Sequence, residues 1–170
     1  MTPLLHMVCG GVGAGKTTYA RRLADEIGGL GFSIDEWMTG LFGPDSPQPP
    51  QWPWVVERVR RCEARIVAQA LDAARRGVPS VLDLSFLRRD DRLRLADQAG
   101  AAGVGVALHF LDVPADERWR RVAARNAEQG ETFALVVPRP VFDLVETMFE
   151  RPGAEELSLY SVIPTEARSA

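Results

Sequence analysis

The chain has almost no lysine. Of its 20 basic residues, 19 are arginine and one, Lys16, is lysine. Asparagine is just as scarce, with Asn126 alone. Together these scarcities exclude a guanine-reading Asn-Lys-x-Asp signature, and with it a Ras-type GTPase. Asp97-Gln98-Ala99-Gly100 fits Asp-x-x-Gly by its letters, but it falls inside a helical pattern and not after a strand. No His-Arg-Asp or Asp-Phe-Gly triplet occurs, so the protein-kinase set is missing. Two cysteines, Cys9 and Cys62, make no disulfide framework. The two histidines, His6 and His109, have no metal-ligand spacing and read as structural. No apolar run approaches the roughly 18 residues of a membrane span. Met1 to Cys9 lacks the length and charge order of a signal peptide. A net charge of −3 argues against a strongly basic nucleic-acid binder. These absences predict a soluble, cytoplasmic protein.

What is present is ordinary in bulk. With 46% apolar and 25% charged residues, the 170-residue chain can bury a real core. At about 150 residues per domain it reads as one domain, 1–170. Leu4–Cys9 is a short apolar run followed at once by glycines, the pattern of a buried strand. Lys16–Ile27 is amphipathic, with Ala20, Leu23, Ala24 and Ile27 on one face, and Gly28 and Gly29 stop it. Phe32–Ile34 reads as a strand and Asp35–Phe42 as a short helix. Gly43–Pro53 carries five prolines and is a surface loop. Trp54–Arg76, Arg88–Ala102, Pro114–Ala127 and Val141–Phe149 read as helices; Val78–Leu84, Val104–Leu111 and Leu157–Ile163 as strands. Gln129–Pro140 is loop-like, and the tail from Pro164 frays. Alternation of strand and helix predicts an α/β fold with a mainly parallel sheet and right-handed crossovers.

The chemistry concentrates at Gly10-Gly11-Val12-Gly13-Ala14-Gly15-Lys16-Thr17, which meets G-x-x-x-x-G-K-[ST] at every fixed position. It lies between an apolar strand and an amphipathic helix, as the motif requires. Glycines let the backbone curl so that successive N–H groups face phosphate oxygens. The next helix adds free N–H groups, Thr17 and Thr18 among its first residues, and the positive end of its dipole. Lys16 is placed to reach the β- and γ-phosphates and Thr17 to offer its hydroxyl to Mg²⁺. Lysine is a compact point charge and arginine a wide fork, so a chain that otherwise writes arginine keeps its one lysine where the compact cation is needed. Asp83, near the end of the third strand, is the candidate Mg²⁺ carboxylate; the alternative is capping of the turn that contains Ser85. Asp112, at the end of the fourth strand, reads as a helix cap.

Four segments, CGGVGAGKTTYARRLA from Cys9, FSIDEWM from Phe32, SVLDLSFLRRDDR from Ser80 and LHFLDVPADERWRRVAARN from Leu108, together resemble the small P-loop kinases of the zeta-toxin, chloramphenicol phosphotransferase and polynucleotide kinase type. The resemblance spans roughly residues 4–150, and the Walker loop is its one highly specific part. It implies a three-layer P-loop NTPase fold of kinase type, with a five-stranded, mainly parallel sheet and helices on both faces. It further implies Mg²⁺-ATP as donor, an acceptor hydroxyl on a small molecule or nucleotide, and Asp35 as the base that takes the hydroxyl proton. A lid at about 115–140 would bring Arg121 and Arg125, and less directly Arg118, onto the nucleotide and the transferred phosphate. Asp35 has a competing reading as the N-cap of the following helix. Glu36 is adjacent but reads as pointing elsewhere. Trp37, Trp52 and Trp54 either stack an acceptor or anchor the proline-rich loop. Arg58, Arg61 and Arg65, like Arg88 and Arg89, either hold an anionic acceptor or pair on the surface. Long nucleic acid suits a chain of this charge poorly, although a 5′-end acceptor is open. The rival to a kinase is a slow ATPase switch acting through a protein partner. The chain is too short for an oligomeric remodelling ATPase with its extra helical domain.

Overall fold

A computed structural model describes residues 4–49, 51–128 and 136–156, and the backbone of 161–165. The order of elements is β1 (Leu5–Cys9), α1 (Lys16–Ile27), β2 (Leu30–Ser33), α2 (Ile34–Phe42), α3 (Trp52–Arg75), β3 (Ser80–Asp83), α4 (Arg89–Ala101), β4 (Val106–Leu111), α5 (Ala115–Glu128), α6 (Arg139–Met148) and β5 (Ser161–Thr165). The five strands form one sheet in the order β2-β3-β1-β4-β5, and every pairing is parallel. Central strands flanked by helices on both faces must be apolar throughout. Accordingly β3 is buried at all four positions, while the edge strand β2 is exposed at Leu30 and Gly31.

The period-two alternation of β1 sorts its side chains into two layers. Leu5, Met7 and Cys9 join a core with Ile66, Ala70 and Ala74 of α3 and Leu95 and Ala99 of α4. Val8 faces the other way, toward Ala20, Leu23 and Ala24 of α1. Cys62, Ile66, Ala70 and Ala74 recur every fourth residue, so the 24-residue α3 lays one stripe along the sheet. A histidine pair lies on the α1 side, His109 buried and His6 partly so: His6 Nδ1 lies 3.0 Å from His109 Nε2, and the Tyr19 hydroxyl lies 2.7 Å from His109 Nδ1. Burial drives the His109 pKa down to about 4, so it stays neutral and structural. The helices contain no segment long and apolar enough to cross a membrane, among the described residues.

Several boundaries differ from the sequence reading. β2 starts two residues earlier, at Leu30, because its pairing with β3 runs from Leu30–Ser80 to Ser33–Asp83. α6 begins at Arg139, with Pro140 in its first turn, where a missing N–H is harmless. Pro164 does not fray; it pairs with Phe110 inside β5. The remainder of the expected 129–140 loop, 129–135, and the start of the expected last strand, 157–160, lie outside the described residues.

Candidate nucleotide and acceptor site

In a parallel sheet, ligands gather beyond the carboxyl ends of the strands. Register places three such ends side by side: Ser33 of β2 is level with Asp83 of β3, and β3 lies against β1. The loop from Gly10 to Gly15, Asp83 and Asp35 therefore emerge from neighbouring strands, although 73 positions separate Gly10 from Asp83 in sequence.

The loop has the curl its glycines predict. Gly13 and Gly15 hold φ of 79° and 89°, a region that costs any side-chain-bearing residue strain. Ala14 is buried, and Thr18 is exposed in the first turn of α1. Lys16 Nζ donates to Gly10 O at 3.0 Å and Gly11 O at 3.1 Å, so the ammonium is held inside the loop. Desolvation pulls its pKa below the ordinary lysine value, opposed by the carboxylates of Asp83 and Asp35. Thr17 Oγ1 donates to Asp83 Oδ2 at 2.8 Å. Burial raises the Asp83 pKa; Lys16 and the Thr17 hydrogen bond oppose the rise. A hydroxyl and a buried carboxylate in contact beside an ammonium form an oxygen-donor pair of the kind that suits Mg²⁺. Asp83 thus bonds to Thr17, and the turn behind it is held by other means.

That turn is strained. Ser85 and Phe86 both take positive φ, 69° and 45°, without being glycine. Such conformations cost of order 1–3 kcal/mol each and persist only where surroundings over-determine them. Here the Phe86 carbonyl accepts from Arg92 Nη1 at 3.0 Å and from Cys9 Sγ at 3.5 Å. Arg92 is fully buried and forms a two-pronged pair with Glu156, at 2.7 and 2.8 Å. Sequence reasoning missed this pair, because 64 residues separate its members. Its one available signal was Arg92 at an apolar helix position. Burial also lifts the Cys9 thiol to about 11, consistent with a supporting and not a nucleophilic role.

Asp35 lies in the first turn of α2, exposed, with its charge felt at both Lys16 and Asp83. It is not the N-cap. Ser33 caps α2, accepting from Glu36 N at 3.4 Å, since the strand delivers its last residue directly to the helix. Glu36 turns to Arg21, 2.8 Å away.

The arginines of α5 divide. Arg118 is buried, donating to Val113 O at 2.8 Å and Val12 O at 3.2 Å and pairing with Glu146, so it does not join Arg121 and Arg125 as an open face. Arg121 pairs with Glu117, and its guanidinium comes near Gly15. Arg125 Nε is buried with no hydrogen-bond partner among the described residues. An orphaned buried guanidinium donor is the chemistry an anion would satisfy.

Other expectations resolve toward structure. Arg58 stacks on the Trp54 ring at 3.8 Å and donates to Trp54 O, Arg61 pairs with Glu57, and Arg89 pairs with Glu155. Trp37 packs against Phe32, so Trp37 and Trp54 anchor α2 and α3, while Trp52 is exposed. Arg65 and Arg88 are exposed. Asp112 pairs with Arg151 instead of capping α5.

The face of α3 that lines a cavity carries Arg60 and not Arg58, Arg61 or Arg65. Glu63 and Val67 meet Asp91 and Leu95 of α4 over Leu84 and Phe86, around about 300 Å³. Burial and the Asp91 charge push the Glu63 pKa up to about 7. A raised folded-state pKa costs stability as pH climbs from the model-compound value of 4.5 through 7. Glu63→Gln is therefore expected to be more stable than the natural protein at pH 8, with the difference vanishing near pH 4. Urea midpoints across that range test this; a difference independent of pH would contradict it.

A family model described as an AAA domain matches residues 5–152. No curated protein matches the chain at the level of sequence. Among solved structures, a sugar kinase from Janibacter sp. HTCC2649 is similar at 21% identity and TM-score 0.66, over 99% of this chain and 87% of that one. A gluconokinase from Sinorhizobium meliloti 1021 is similar at 18% identity and TM-score 0.60, over 99% and 85%. A chain of the Pnkp1/Rnl/Hen1 RNA repair complex is similar at 21% identity and TM-score 0.61, over 86% of this chain and 43% of that one. These likenesses establish the expected fold, a P-loop α/β fold of kinase type.

Proposed function

This chain belongs to the AAA domain family that matches it from residue 5 to residue 152, and on that premise we propose that it is an ATP-dependent phosphotransferase moving the γ-phosphate of Mg²⁺-ATP to a hydroxyl of a small molecule or nucleotide. The observation that carries the proposal is the cluster itself: Lys16 inside the glycine loop, Thr17 in contact with Asp83, and Asp35 on the neighbouring strand end, near enough for its charge to act on Lys16 and Asp83. The similarly folded sugar kinase and gluconokinase are named for small hydroxylated acceptors, which is in keeping with this reading.

The residues fit the groups they would hold. Backbone N–H groups from Gly10 to Thr18 would cradle the phosphates, and Thr17 and Asp83 would hold Mg²⁺, Asp83 through water. When bound, magnesium would supply neutralisation of the phosphate charge. Phosphoryl transfer needs little covalent help from protein, so positioning and charge carry it. Asp35 would accept the proton of the acceptor hydroxyl as its oxygen bonds to the γ-phosphorus and the bond to the ADP oxygen breaks. Lys16 would leave its two loop carbonyls for the phosphate oxygens. Arg125, and Arg121 after exchanging Glu117 for phosphate, would offset charge on the transferred group, with the segment at about 115–140 acting as a lid within a single domain.

Labelled ATP and Mg²⁺ with pooled antibiotics, sugars, nucleosides, amino-sugar nucleotides and oligonucleotides test the proposal. Label is expected on an acceptor other than water. Asp35→Asn is expected to lower transfer by about 10²–10⁴-fold while leaving ATP binding intact. Transfer indifferent to Asp35→Asn would remove the base assignment, and a protein that binds another protein differently with ATP and ADP would replace the kinase by a switch.

A further inference from the structure

Gly11 occupies a position that the Walker pattern leaves free, yet its surroundings forbid a side chain. A Cβ there would stand 2.3 Å from Arg118 Nη1 and 2.6 Å from its Cζ. A Cβ at Gly13 would stand 2.5 Å from Arg118 O. The outer side of the glycine loop is thus packed directly on one arginine. That arginine is 5% exposed and each of its three guanidinium nitrogens donates in a different direction: Nε to Val113 O, Nη1 to Val12 O, Nη2 to Glu146. Its guanidinium also lies over the ring of Phe142, 5.5 Å from the centroid. Phe142 and Glu146 belong to α6, which packs through Phe142 on Trp119 of α5. A planar fork reaches its partners from three separate nitrogens in fixed directions, whereas an ammonium has all its donors on one nitrogen.

We propose that Arg118 is a positioning residue for the nucleotide loop, clamping the Val12 carbonyl outward so that loop N–H groups face inward, with Glu146 of α6 setting the clamp. Carbonyls turned out and amides turned in are the two sides of one backbone curl. Holding the first determines the second before any phosphate arrives, and preorganisation of this kind appears in affinity. Gly11 is glycine to admit the clamp, and α6 is coupled to the nucleotide site through the Glu146 ion pair and the Phe142 ring. This inference rests on the reading that the loop binds Mg²⁺-nucleotide, and its test separates the two.

The test is calorimetric titration of the full chain with Mg²⁺-ATP and Mg²⁺-ADP, at a temperature where near-ultraviolet circular dichroism shows each variant folded. Arg118→Lys keeps the charge and loses the fork; its dissociation constant for Mg²⁺-ATP is expected to rise at least about tenfold. Glu146→Gln keeps the shape on a partly exposed residue and is expected to weaken binding about threefold or more, which keeps the proposal testable if Arg118→Lys does not fold. Gly11→Ala is expected to weaken binding by displacing Arg118, and the Gly11→Ala, Arg118→Lys double variant to be no worse than the worse single. A merely structural arginine would lower thermal stability, leave the constants of the folded variants within twofold, and show no such non-additivity; that result overturns the inference alone. Natural protein that binds neither nucleotide would overturn the nucleotide reading, and the inference with it.

Discussion

Lys16→Arg is expected to reduce phosphoryl transfer about as severely as Lys16→Met, by roughly 10²–10³-fold, despite keeping the charge. The hollow of the loop explains why. The Lys16 ammonium sits between Gly10 O and Gly11 O, at 3.0 and 3.1 Å, with the loop closed around it. A planar guanidinium is wider and sheds less of its geometry on turning. The chain's other 19 basic residues are arginine, so retention of lysine here reflects that hollow. The apo proteins provide the control. Burial lowers the Lys16 pKa, which means the folded state carries the charged lysine at a cost below that pKa. This cost is relieved as pH rises from the lowered folded value toward the ordinary value of 10.5. Lys16→Met is therefore expected to be at least as thermally stable as the natural protein at pH 7, while losing Mg²⁺-ATP affinity and transfer. A Lys16→Arg protein with natural transfer rates would show that charge alone suffices.

Breaking the Arg92–Glu156 pair is expected to have the largest effect on stability. Both side chains are wholly buried, and removing one takes from the other its two-pronged, oppositely charged partner inside the core. Such losses cost about 3–5 kcal/mol. Domains of this kind have about 5–15 kcal/mol in total, so Glu156→Gln or Arg92→Met alone is expected to lower the melting temperature by roughly 6–20 °C. The double change Arg92→Met, Glu156→Leu is expected to recover most of that loss, because paired burial of charge gains little over apolar packing of similar volume. Urea midpoints of the two singles and the double decide it; an additive double would refute the pairing argument. Activity carries a second signature. Arg92 also holds the Phe86 carbonyl, and with it the positive-φ turn two residues beyond Asp83. The double variant is thus expected to be stable yet impaired in Mg²⁺-dependent transfer, a separation that plain destabilisation does not produce.

Most of the sheet and the phosphate loop were legible because their signals are local. A glycine loop between an apolar run and an amphipathic run needs only neighbours in sequence to be recognised, and parallel strands buried on both faces announce themselves by being apolar throughout. Boundaries slipped by about two residues where pairing, not propensity, decides them, as at Leu30 and Arg139. Roles of charged side chains were the least legible. Arg118, Arg121 and Arg125 are alike by spacing on α5, yet one donates to Val12 O, one pairs with Glu117 and one keeps a buried nitrogen with no partner among the described residues. Asp35 read as a base that could also cap the following helix, and the cap is Ser33.

By itself, the sequence determined the alternation of strands and helices, the curl from Gly10 to Thr17 and the one position reserved for lysine. Each follows from backbone sterics and periodicity acting over a few residues. Tertiary structure alone decided that Ser33, Asp83 and the loop end at one level, that Arg92 finds Glu156, and that Arg118 reaches across 106 positions to Val12. Those contacts depend on strand order and on which charges the packed core leaves no water to satisfy, and neither is written in any local stretch of chain.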